Sequence, residues 1–421
     1  MRSVKIKNDI NDINNKTCCL KFLDIIELLI EFDIKNLKYY IRVFASLFII
    51  CMIFLDLSFY NKITDLKHIK KYVHDCKNFI MYDRNKIYNK YPYIAVCLSA
   101  LDMEKYIEKN LISILNQSFQ DFEIIVVNDA SKDETENIIK RIQLSDDRIK
   151  LVTHRNNLGV YRSRIESILN SKSEFVLLMD PDDMYLNEHL FKELHDYNLQ
   201  KNLDIIEFSV YQQIDGSNKI YFPNNDFETH YHNFGKEIIT QPELSNLLYY
   251  LPGTKQYSYT ICRNIWNKMI RRERFIQTHN YIGTRYYNEF IITADDMIMN
   301  IVTYQLSQNY SNINLPGYLY IIRKLSMSRG DGDKKLIKIR AMNHLFYFKL
   351  FYKYIQDYHK DINYLYYEMK DLHRFILAIK DNNMIQYIPI QKNFIQQALK
   401  EKNISNEFKE YLQNLLEYYK N

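Results

Sequence analysis

No two of the six cysteines (Cys18, Cys19, Cys51, Cys76, Cys97 and Cys262) stand at C-x-x-C spacing, and Cys51 and Cys97 lie inside apolar runs. That arrangement argues against a zinc site or a disulfide framework. Charge of one sign is also scarce: 56 basic residues against 51 acidic ones leave only +5 over 421 residues. With no basic stripe, nothing marks nucleic acid as a partner. Glycine is missing from the loop at 99–105, which holds a single lysine, so a nucleotidyltransferase with a Gly- and Lys/Arg-rich first loop is disfavoured. Long hydrophobic runs are few. The strongest, residues 43–55, has 13 members, short of the about 17–25 that a spanning helix needs.

Extending that run to 39–60 adds Tyr39, Tyr40, Phe59 and Tyr60, which gives a spanning length with aromatic residues at both interfaces. We therefore read a tail (1–38), a single-pass membrane anchor (39–60) and a polar stem (61–90). A cleaved signal fits less well, because the run starts late and lacks a small-residue cleavage site. Lys35, Lys38 and Arg42 precede the anchor, and Lys62, Lys67, Lys70, Lys71 and Lys77 follow it. The positive-inside count favours a cytosolic C-terminal side. The opposite orientation, facing the lumen from a Golgi or ER membrane if the source is eukaryotic, stays open.

From Tyr93 the texture changes. Apolar runs at 94–98, 123–127, 149–153, 174–179 and 204–210 alternate with amphipathic segments at 104–115, 134–142, 161–169 and 188–197. This alternation predicts an α/β fold with a mostly parallel sheet covered by helices on both faces. Such sheets bind ligands at the carboxyl ends of their strands. Beyond residue 331 the pattern is helical (336–354, 362–379, 385–419) and carries no chemistry of its own. It reads as a helical C-terminal region for packing, partners or acceptor binding.

Polar residues collect at the expected strand ends. The first run ends in Ser99-Ala100-Leu101-Asp102 and the second in Asn128-Asp129. A carboxylate just past a buried parallel strand can accept the imide N–H of uracil or the N–H groups of guanine; it can equally belong to a helix cap. Asn156-Asn157-Leu158-Gly159 then makes a tight turn before a helix that carries Arg164, and a guanidinium matches a diphosphate through paired donors. The apolar run at 175–179 leads straight into Asp180-Pro181-Asp182-Asp183. Crowded carboxylates raise one another's pKa unless a cation neutralises them. Their hard oxygens suit Mg²⁺ or Mn²⁺.

These four motifs, in this order and spacing, resemble the family 2 glycosyltransferases of GT-A fold over residues 93 to about 328. The stretch 121–129 is similar to the family's nucleotide-binding strand, and Asp180-x-Asp182-Asp183 to its acidic motif. Further on, Trp266-Asn267-Lys268 resembles a segment of the acceptor half. Asp295-Asp296 is similar to the family's acidic pair ahead of a helix, and Arg323 through Ser328 to a late loop that closes over the diphosphate. The resemblance implies that Ser99 and Asp129 hold the base, with Arg164, Asp180, Lys268, Arg323 and Ser328 also on the nucleotide-sugar. It implies that Asp180, Asp182 and Asp183 attend the metal, Mn²⁺ or Mg²⁺, and that Asp296, beside Asp295, is the catalytic base. Asn128 and Leu101 depart from the family pattern, which bears on contacts to the base.

The function so implied is metal-dependent, inverting transfer from a nucleotide-sugar, by default a UDP-sugar, to a glycan, glycoprotein or glycolipid acceptor. The rival is an inactive membrane-anchored protein that keeps the fold for binding or scaffolding. Its weakness is that a decayed enzyme tends to lose costly carboxylates, and here both acidic motifs are intact.

Overall fold

A computed structural model describes residues 91–221, 237–246, 264–323, 334–360, 364–378, 388–401 and 404–418. The tail, anchor and stem of the sequence reading lie outside these residues, as does Ser328. Among the described residues no helix is long and apolar enough to cross a membrane.

The first half of the domain follows the apolar pattern. Strands β1 (Ile94–Ala100), β2 (Phe122–Asn128), β3 (Ile149–Thr153) and β4 (Phe175–Met179) pair in parallel in the order β3-β2-β1-β4. Successive side chains alternate between faces, so Ala95 and Cys97 enter one core while Ile94, Val96 and Leu98 enter the other. Helices α1 (Ile107–Leu115) and α2 (Thr135–Gln143) cover the second face through Ile107, Leu111 and Ile139. Helix α3 (Val160–Asn170) covers the first through Tyr161, Ile165 and Ile168. Helix α4 (Leu190–Lys201) returns to the second face.

The second half corrects the expectation of a mostly parallel sheet. It adds β5 (Met184–Tyr185), β6 (Ile205–Ile214), β7 (Ile220–Tyr221), β8 (Ile239–Thr240), β9 (Lys268–Arg271) and β10 (Asn309–Ile322); the main path is β3-β2-β1-β4-β9-β6-β10-β5, with β7 paired to β6 and β8 to β10 off it. Strand β9 runs antiparallel to both β4 and β6, whereas β10 runs parallel to β6, so the sheet is mixed. Strand β9 has no strand signature, and that of β10 is confined to its second half, Tyr318–Ile322. Strand β9 holds only Met269 and Ile270 between basic residues. In β10, Pro316 and Gly317 interrupt the run and sit at its register shifts, where such residues are tolerated. Gly317 has a packing reason too: a Cβ there would lie 2.4 Å from the Phe208 ring.

Helices α5 (Glu243–Asn246), α6 (Arg272–Ile282), α7 (Thr284–Tyr287) and α8 (Asp295–Leu306) lead to the C-terminal helices α9 (Lys334–Asp357), α10 (Leu365–Ala378), α11 (Ile388–Ala398) and α12 (Asn406–Tyr418). The last predicted helix is therefore two, and the Ser405 hydroxyl caps the second by accepting the Phe408 amide at 3.2 Å. Leu345, Phe348 and Phe351 of α9 share a core with Ile298 and Val302 of α8 and with Ala95 of the sheet.

Candidate active site

Strand β4 delivers the chain into the acidic turn. The Asp183 amide donates to the Asp180 carbonyl at 3.2 Å, with Pro181 at the second position, where its fixed φ suits a turn. The side-chain amide of Asn110 on α1 donates to the carbonyls of Asp180 (3.0 Å) and Asp183 (2.8 Å) and locks the turn to the helix. Within the turn the three carboxyls part company. Asp183 is buried, accepting the Tyr318 hydroxyl at 2.8 Å and the Ile321 amide at 2.7 Å. Burial, then Asp182 and Asp180, push its carboxyl well above the usual range despite those two donors. Asp182 pairs with Arg323 at 2.5 Å; burial and Asp180 raise it as well, against the pull of Arg323. Asp180 turns the other way, to Arg164 at 2.6 Å.

Arg164 is the hub. Only 6% exposed, it projects from α3 and binds Asp180 through Nη2 and both Asp295 and Asp296 through Nη1. Burial disfavours its charge, but the three carboxylates outweigh that and hold it protonated. Asp295 and Asp296 open α8 directly after Ala294, whose φ of 62° is left-handed. Desolvation lifts Asp296 to about 7, opposed by Arg164 and assisted by Asp295 and Asp180. The structure thus brings together Arg164, Asp180, Asp295 and Asp296, from segments 131 and 132 residues apart.

The nucleotide side is built differently from the expectation. Asp129 is buried and accepts from the Leu158 amide (2.8 Å), the Gly159 amide (3.0 Å) and His154 Nδ1 (2.7 Å). It organises the 157–159 turn from inside. His154 reaches on through Nε2 to Glu166 at 2.6 Å, a bridge that sequence reasoning missed because His154 and Glu166 belong to no motif. Beside it a cleft of about 610 Å³ opens at the carboxyl ends of β1 to β3, lined by Leu101, Ala130, Ser131, Thr153, Arg155 and Asn157 among others. Ser99 stands in β1 opposite Val127 and is not among the cleft's lining residues.

Lys268 lies apart from the acidic cluster. Fully buried in β9, its amine contacts the Asn264 carbonyl, Asn267 Oδ1 (2.8 Å) and Glu207 (3.5 Å). Arg323 is closer to the chemistry, because besides Asp182 it lies 5.0 Å over the Tyr106 ring. Among the described residues its buried Nε has no acceptor. Among the described residues no three His, Cys, Asp or Glu side chains converge as metal ligands. The donors nevertheless are of the kind a hard cation takes: carboxylate oxygens that burial, and then the neighbouring aspartates, push away from ionisation.

A mixed sheet whose carboxyl edge gathers acidic motifs from both halves defines an α/β domain of GT-A type. Residues 87–284, just under half of the chain, match Glycosyl transferase family 2. It is 25% identical over 229 residues (54% of this chain, 61% of the relative) to the uncharacterized glycosyltransferase EpsJ of Bacillus subtilis (strain 168). It is 26% identical over 240 residues (56% of this chain, 31% of the relative) to the glycosyltransferase GlyA of Streptococcus pneumoniae serotype 4. The chain thus spans less than two thirds of the length of either relative. Among solved structures, S. aureus TarS 1-349 in complex with UDP-GlcNAc aligns with a TM-score of 0.49 and 18% identity, covering 72% of this chain and 81% of that one.

Proposed function

We propose that the chain transfers a sugar from a nucleotide-sugar, by default a UDP-sugar, to a hydroxyl of a glycan or glycoconjugate acceptor, with inversion at the anomeric carbon. The observation that carries this reading is Arg164. One guanidinium ties Asp180 of the nucleotide half to Asp295 and Asp296 of the acceptor half, so donor and acceptor chemistry share one cluster.

In this reading Asp296 removes the acceptor hydroxyl's proton, a role typically worth about 10²–10⁴-fold. A carboxyl lifted to about 7 is matched to a base working near neutral pH. Asp295 and Arg164 hold it in place. The cleft beside the 157–159 turn takes the base and ribose, with Asp129 shaping that turn from behind. Arg323, whose Nε meets no acceptor among the described residues, serves the diphosphate, and Ser328 would join it. Mn²⁺ or Mg²⁺ would be held by Asp182 and Asp180, where it supplies Lewis-acid relief of charge on the leaving diphosphate. Asp183 braces the turn against β10. The 39–60 segment would anchor the enzyme in a membrane as a single span.

The test is calorimetric titration of UDP and of GDP into the full chain, with Mn²⁺ and with EDTA, beside Asp182→Ala. Metal-dependent UDP binding that the substitution abolishes supports the site, and GDP binding alone moves the donor to a GDP-sugar. Folded protein that binds neither nucleotide refutes the reading in favour of a scaffold.

A further inference from the structure

The start of α8, which carries the carboxylates of Asp295 and Asp296, is preceded by a short loop, residues 290–293, that regular secondary structure does not hold. Two outside elements hold it. From one side α3 makes the contact: the Tyr161 amide donates to the Ile291 carbonyl at 3.2 Å, and Gly159 lies so close that a Cβ there would sit 2.7 Å from the same oxygen. From the other side comes Asn343, in the middle of α9 and 1% exposed. Its Oδ1 accepts the amides of Ile292 (2.9 Å) and Thr293 (3.3 Å), and its Nδ2 donates to the Phe290 carbonyl at 2.9 Å. One side chain thus satisfies three backbone groups of a four-residue loop, groups that would be costly to leave unpaired. Immediately after it Ala294 turns through its left-handed conformation and α8 begins with the two aspartates.

We propose that Asn343 is a positioning residue for the Asp295–Asp296 pair, so that the C-terminal helices, beyond the residues 87–284 that match the family, complete the active site. The inference rests on the reading of Asp296 as the base. Asn343 touches neither carboxylate; it acts by fixing the loop whose end sets where α8 starts. Arg164 fixes the same carboxylates from α3. Geometry at a reacting group is demanding, since a misplacement of about 1 Å can cost on the order of 10²-fold in rate.

The experiment compares the full-length wild type with Asn343→Ala, Asn343→Asp and Asp296→Asn. It combines hydrogen exchange over residues 288–297, calorimetry with UDP and Mn²⁺, and turnover of UDP-glucose or UDP-N-acetylglucosamine, whichever the wild type consumes. Asn343→Ala is expected to speed exchange in that segment and lower kcat by about 10²-fold, while UDP affinity stays within about twofold of wild type. Asn343→Asp keeps the acceptor for Ile292 and Thr293, so it should restore their protection and part of kcat. Asn343→Ala with wild-type exchange and kcat refutes the brace. So does loss of UDP affinity in step with kcat, because that is general damage rather than positioning. Full turnover in Asp296→Asn would refute the base assignment itself; full turnover in Asn343→Ala while Asp296→Asn is inactive would refute only the brace.

Discussion

Replacing Asp296 with Asn should make the protein more stable as it destroys activity, and the gain should depend on pH in a fixed direction. Desolvation holds the Asp296 carboxyl at about 7, against about 3.9 in an unfolded chain. At about 1.4 kcal/mol per unit, ionising it in the fold costs roughly 4 kcal/mol. Because 27% of the side chain still meets solvent, screening reduces this to about 2–4 kcal/mol. The folded state therefore keeps a proton that the unfolded chain releases, and wild-type stability falls as pH rises from about 4 to about 7. Asparagine has no proton to lose, and its Oδ1 still accepts from Arg164. Thermal melts of wild type and Asp296→Asn at matched ionic strength should nearly coincide near pH 4. At pH 8 the variant should be ahead by a few degrees. Turnover should fall by about 10²–10⁴-fold, and wild-type kcat/KM should rise with pH through about 7, as the base must be ionised to act. A variant less stable than wild type at pH 8, or a difference equal at both pH values, would refute the reasoning. The Arg164 pair would then be worth more than the desolvation of Asp296 costs.

Arg164→Met strips Asp180, Asp295 and Asp296 of their shared cation; urea unfolding at pH 8 should show a loss of about 3–5 kcal/mol. The loss should shrink on acidification through about 7 as Asp296 takes up a proton. Gly159→Ala places a side chain at φ +92° with its Cβ 2.7 Å from the Ile291 carbonyl, which should cost about 1–3 kcal/mol in chemical denaturation and lower turnover with it. Asp183→Asn should leave Mn²⁺-dependent UDP binding intact in calorimetry, since Tyr318 and Ile321 occupy that side chain. Asp182→Ala should abolish it.

The parallel half of the sheet was legible because β1, β2 and β4 are buried on both faces, and a strand such as Phe175–Met179 shows this as an unbroken apolar run. Strand β9 was not. Its Lys268 is fully buried, which sequence alone reads as a functional cation, yet Glu207, Asn267 and the Asn264 carbonyl satisfy the amine inside the fold. A polar residue neutralised by partners elsewhere in the chain leaves no periodic trace in its own neighbourhood. Strand β10 was hidden by a different cause, Pro316 and Gly317, which mark a turn locally but here form a bulge that Phe208 packs against.

The site divides along the same physical line. The start of α8 at Asp295-Asp296 was reached through the family resemblance, whereas the 180–183 turn could be found from its own residues, because turn chemistry is local. Which carboxylate faces which cation could not, because the answer depends on contacts between distant segments. Asp182 and Asp183 are adjacent and chemically identical, yet β10 claims both oxygens of one while Arg323 takes the other. Asp129 shows the same effect: it lies at a strand end where a ligand-binding carboxylate is expected, and the return of the chain at 154–159 surrounds it with protein donors. Asn343 is the extreme case. An asparagine in the middle of a helix has no local use for its amide, so its purpose becomes visible only when the loop it serves, fifty residues earlier in the chain, is laid against it.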